Sequence, residues 1–87
     1  MKTVLSIAGS DPSGGAGIQT DLQTFQQLGV RGVTAITALT AQNDRRFFSL
    51  NPVSSILLRE QLRAIKDRYR IDAVRIGMLG TEENALA

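Results

Sequence analysis

One stretch constrains this chain more than any other. From Gly9 to Gly17 it reads Gly-Ser-Asp-Pro-Ser-Gly-Gly-Ala-Gly, four glycines and a proline in nine residues. No regular helix or strand tolerates that density of glycine, so the segment is a loop with a constrained path. What flanks it is regular. Val4-Leu5-Ser6-Ile7-Ala8 is a nearly continuous apolar run with two β-branched residues, the pattern of a strand buried on both faces. Ile18, Leu22, Phe25 and Leu28 fall at i, i+4, i+7 and i+10, one face of an amphipathic helix. Asp21 is expected in the first turn of that helix, where a carboxylate complements the dipole. Gly29 suits the left-handed position just past its end. A strand, a glycine loop and a helix start make a junction with free backbone N–H groups. In open α/β sheets ligands bind at such carboxyl ends of strands. A tight turn that binds nothing would carry the same glycines.

The rest of the chain continues the alternation. Val33 to Thr40 reads as a second buried strand, and residues 42–46 break the pattern. Phe47-Phe48-Ser49-Leu50 suits a short strand, and Asn51-Pro52 a turn or helix entry. Leu58, Leu62, Ile65 and Tyr69 take helical spacing over about 53–69, with Arg59, Arg63, Lys66 and Asp67 on a solvated side. Residues 72–79 read as a third strand, and Thr81 as the N-cap of a further helix with Glu82 and Glu83 in its first turn. This order predicts an α/β fold with a mainly parallel sheet. Three parallel strands need cover on both faces. Two helices and the start of another supply little, so residues 1–87 are expected to be part of one larger domain.

Composition narrows the chemistry. The chain has 87 residues, 43% hydrophobic and 21% charged, which fits a globular domain and not a disordered one. It has no Cys and no His. That excludes a disulfide framework, a thiolate zinc site and a histidine base. No apolar run reaches the ~18 residues of a membrane-spanning helix. The apolar start runs into the glycine loop and not into a cleavage site, so a cytoplasmic protein is expected. A net charge of +2 is a weak argument for nucleic acid, and none is expected as a partner.

Two phosphate-binding fingerprints fail. Gly9 and Gly14 have the P-loop spacing, but Gly15 stands where the lysine is needed. In the dinucleotide pattern Thr20 occupies the third glycine slot after Gly15 and Gly17.

The loop as spelled is more specific. Ala8-Gly9-Ser10-Asp11-Pro12-Ser13-Gly14-Gly15-Ala16-Gly17-Ile18-Gln19 resembles the N-terminal signature of the hydroxymethylpyrimidine/phosphomethylpyrimidine kinases of thiamine biosynthesis. Ile36-Thr37-Ala38-Leu39-Thr40-Ala41-Gln42-Asn43 and Ile76-Gly77-Met78-Leu79 agree at the family's spacing. The resemblance covers essentially the whole chain but only the first third of such an enzyme. It implies the N-terminal part of a ribokinase-like three-layer α/β/α sandwich. It implies a kinase that phosphorylates 4-amino-5-hydroxymethyl-2-methylpyrimidine and its monophosphate with ATP and Mg²⁺, as a homo-oligomer.

By carry-over, Gly9, Asp11 and Ala16 line the acceptor pocket and Met78 packs on the ring. Gln42 pairs with the ring nitrogen and exocyclic amine, since a carboxamide offers a donor beside an acceptor. No catalytic, ATP-binding or metal residue is expected in this chain. Such residues belong to the family's C-terminal part, so the chain alone is expected to be inactive. The family's usual glycine after the Gln-Asn pair is replaced by Arg46, followed by Phe47 and Phe48. Those rings suit either an interface or a strand with one face in the core. Two alternatives stay open: a pyridoxal-type kinase of the same superfamily, and a non-catalytic half-domain that docks on a partner chain through Phe47 and Phe48.

Overall fold

The computed structural model describes residues 1–77. Its elements are β1 (Thr3–Ser10), α1 (Gly17–Gln27), β2 (Arg31–Gln42), β3 (Phe47–Pro52), α2 (Ser55–Arg68) and β4 (Ala73–Ile76). The strands form one sheet in the order β3-β2-β1-β4. β1 pairs in parallel with β2 and with β4, while β3 runs antiparallel to β2. The sheet is therefore mainly parallel, as the alternation of elements predicts.

Side chains alternate between the two faces of a strand, so β1 and β2 feed both faces of the sheet. Leu5 and Ala35 point to the α2 face and form a core with Leu58, against which Val33, Leu62 and Ile65 pack. Ser6 and Ala8 point the other way, towards α1, whose Ile18 and Phe25 are buried. Full burial of a side chain such as Leu58 or Phe25 contributes about 2–3 kcal/mol. α2 starts at a serine cap, with the Ser54 hydroxyl accepting from the Leu57 N–H at 3.0 Å. Lys66 and Arg68 lie in its last turn, where cations favour the dipole. α1 ends with Leu28 as its cap and Gly29 at φ +72°, the left-handed conformation expected there.

Four expectations change. Asn51-Pro52 is not a turn; both residues lie inside β3, and Pro52 is tolerated because β3 is an edge strand. Leu28 does not complete the buried stripe: α1 stops at Gln27, and Leu28 is 71% exposed. Asp21 is the fifth residue of α1, past the first turn, so it is not a dipole partner. All six residues of β3 are exposed, so Phe47 and Phe48 have no face in the core of the described residues. Met78, the predicted end of the third strand and the helix expected from Thr81 lie outside the described residues.

Candidate functional site

The glycine loop turns back on itself because Asp11 organises it. One carboxylate oxygen accepts from the Ser13 N–H at 2.9 Å and from the Ser13 hydroxyl at 2.7 Å. The other accepts from the Gly15 N–H at 3.1 Å. An aspartate bonding to backbone just ahead of it is a side-chain mimic of a turn. The Ser13 hydroxyl, and then the Ser13, Gly15 and Ala16 backbone groups, hold this carboxyl below its ordinary pKa against the opposing cost of burial. Gln19 of α1 closes the loop from the other side. Its Oε1 accepts from the Asp11 N–H at 2.9 Å and its Nε2 donates to the Ser10 hydroxyl at 2.8 Å. Gly17 opens the helix at φ +66°, and a Cβ there would overlap the Gly9 carbonyl oxygen. Only glycine allows the loop's two ends to meet this closely.

The loop forms one wall of a pocket of about 190 Å³ at the carboxyl ends of β1 and β2. Gly9, Asp11, Ala16 and Gln42 all line it, together with Asp21 and Arg75. Four of the five residues singled out in the sequence thus meet around one space, drawn from a loop, a helix start and a second strand. The fifth, Met78, lies outside the described residues.

Gln42 is fixed through its amide nitrogen, which donates to the Thr40 hydroxyl at 2.8 Å. Thr40 in turn donates to the Ser10 carbonyl at 2.7 Å, tying the end of β2 to the loop. No cluster of three or more acidic, Cys or His side chains able to hold a metal occurs among the described residues.

Asp21 is the residue that sequence reasoning misplaced. It is 7% exposed, and its carboxylate is held at both oxygens. One accepts from the Ser6 hydroxyl at 2.6 Å, the other from Nε of Arg75 at 2.8 Å. The signal for this lay in an acid placed near a buried helix face, and its partner stands 54 positions along the chain.

The chain is similar to known proteins in sequence and in fold. The profile of the phosphomethylpyrimidine kinase family matches residues 11–87. The chain belongs to that family. A hydroxymethylpyrimidine/phosphomethylpyrimidine kinase of Haemophilus influenzae is 52% identical over 83 residues, covering 95% of this chain and 31% of its own length. The phosphomethylpyrimidine kinase of Clostridium difficile superposes with a TM-score of 0.94 at 42% identity, covering 99% of this chain and 37% of its own. Pyridoxal kinase from Staphylococcus aureus, solved in complex with pyridoxal, gives a TM-score of 0.86 at 41% identity over 97% of this chain and 32% of its own. The fold is that of these ribokinase-like kinases. The chain spans about a third of the length of the curated relatives it matches.

Proposed function

We propose that these residues form the acceptor side of a kinase that transfers the γ-phosphoryl group of ATP to the hydroxymethyl oxygen of 4-amino-5-hydroxymethyl-2-methylpyrimidine, and then to its monophosphate. The observation that carries this reading is the convergence of Gly9, Asp11, Ala16 and Gln42 on one pocket in a chain of this family. The acceptor's polar edge is complementary to what the wall offers. Gln42 presents an acceptor oxygen beside a donor nitrogen, and Asp21 adds an acceptor-only carboxylate for an amine or hydroxyl hydrogen. The glycine loop lets backbone approach the ring closely. Met78, the remaining residue carried over from the family, lies outside the described residues.

ATP supplies the phosphoryl group, and Mg²⁺ belongs to the same proposal. Neither is assigned to a residue of this chain. The loop carries Gly15 where a P-loop has its lysine. In this reading both are held by parts of the full protein outside this chain. What this chain contributes is positioning: it holds the acceptor oxygen and keeps the ring in register. A cytoplasmic homo-oligomer, with the exposed Phe47 and Phe48 as its contact, belongs to the same reading. Among the described residues no helix is long and apolar enough to cross a membrane.

A pyridoxal-type acceptor is the second reading, supported by the likeness to the pyridoxal-bound kinase. The two separate in a competition assay on the full gene product, with the aminopyrimidine and pyridoxal offered together. The pyrimidine is expected to be phosphorylated first. In the same enzyme Gln42→Ala is expected to raise KM for the pyrimidine about tenfold, since a paired polar group is left without its partner. KM for ATP should stay where it was. A fall in ATP affinity instead would remove Gln42 from the acceptor site.

A further inference from the structure

We propose that Arg75 is a positioning residue for the acceptor, acting through Asp21. This rests on the reading of the pocket given above. Ser6 of β1 and Arg75 of β4 are direct partners across the parallel pair, so their side chains leave the sheet on the same face. That is the face covered by α1, and Asp21 projects from α1 between them. Three separate elements thus meet at one carboxylate, by bonds of 2.6 Å from Ser6 and 2.8 Å from Arg75.

The two partners differ in character. Asp21 has a side chain only 10% exposed, whereas that of Arg75 is 61% exposed. A buried carboxylate without a cation is costly, and a buried carboxylate on a helix has rotamers to choose from. Arg75 supplies the charge and also the direction, because Nε donates along a fixed line from a planar group. Ser6 fixes the second oxygen. Each carboxylate oxygen can accept a second hydrogen bond. Asp21 lines the pocket, and in this proposal the remaining capacity takes an N–H or O–H of the acceptor. Arg75 lines the same pocket, with its own side chain mostly exposed among the described residues. Its consequence is the orientation of Asp21.

The test uses the full gene product as wild type, Arg75→Ala and Arg75→Lys. Acceptor KM, ATP KM, melting temperature and calorimetric affinity for the aminopyrimidine are measured on each. Arg75→Ala is expected to raise acceptor KM and weaken pyrimidine binding about fivefold, the upper end for an ion pair with one exposed member. ATP KM should be unchanged, while melting temperature falls because the buried Asp21 carboxylate loses its cation, so acceptor KM is read on the folded enzyme. Arg75→Lys, which keeps the charge and a donor, should return acceptor KM to within about twofold of wild type. An unmoved acceptor KM in Arg75→Ala, or acceptor and ATP KM rising together, overturns the role of Arg75 while leaving the kinase reading intact. A wild-type protein that neither binds nor phosphorylates the pyrimidine or pyridoxal overturns both.

Discussion

The two faces of the sheet are built from the same strands and bury different mixtures of side chains. On the α2 face Leu5, Ala35 and Leu58 close an aliphatic core, joined by Ile7, Val33, Leu62 and Ile65. On the α1 face, at a similar depth, Ser6 and Asp21 are buried and bonded to each other. The first face can be satisfied by any set of apolar side chains of the right volume. The second cannot, because each buried polar atom needs a particular partner. Around β1 the α2 face is thus aliphatic, whereas the α1 face adds to its apolar Ile18 and Phe25 a bonded polar pair beside the pocket. The glycine loop, which follows β1, opens its pocket on the α1 side.

Substitutions on each side should break this division if it is wrong. The largest effect is expected from Leu58→Ala, at 1% exposure among the most enclosed side chains. Urea unfolding of the full gene product should show a loss of about 3 kcal/mol. Acceptor KM of the folded fraction should not move. A changed KM would mean that the α2 face also shapes the pocket.

Gly17→Ala should act on the other side. The left-handed backbone and the overlap with the Gly9 carbonyl cost about 2 kcal/mol, and the loop must open to relieve them. Here acceptor affinity should be lost well before the fold is, with calorimetry and unfolding measured on the same sample.

The smallest effect concerns acid. In the folded loop the Asp11 carboxyl titrates below its unfolded value, so its contribution is present above about pH 4 and disappears as pH falls through the folded pKa. Asp11→Asn should therefore flatten the stability–pH curve below about pH 4, and leave its shape near neutrality unchanged. A variant curve parallel to wild type in acid would show that the loop holds without that carboxylate's charge.

The sequence exposes the two faces unequally. Periodicity finds Leu58, Leu62 and Ile65 on α2 and Ile18 and Phe25 on α1, because burial of apolar residues repeats with the geometry of the helix. The glycine loop and Gln42 are legible as a spelled motif. Asp21 is not. Spacing alone places it near a helix start, and its meaning comes from Arg75, which only the order β2-β1-β4 brings alongside β1. β3 is obscured for a related reason. Asn51-Pro52 carries turn chemistry, yet pairing with Leu39 and Ala38 holds it extended. Long-range pairing overrides local preference in both places.

One bond pair described by no helix or strand pattern has a wider consequence. The Gln61 side chain of α2 takes a strand's place beside β2: its Oε1 accepts from the Ile36 N–H and its Nε2 donates to the Ile36 carbonyl, each at 2.8 Å. β3 begins its pairing just beyond, with Pro52 opposite Ala38. The glutamine is thus a stop block against any slip of β3 along β2. A slip of two residues towards Ile36 would have to evict it. With the stop in place, Phe47 is held opposite Gln42, and the register of the whole β2–β3 ribbon is set. A helix on the aliphatic face thereby aligns a ribbon beside the pocket.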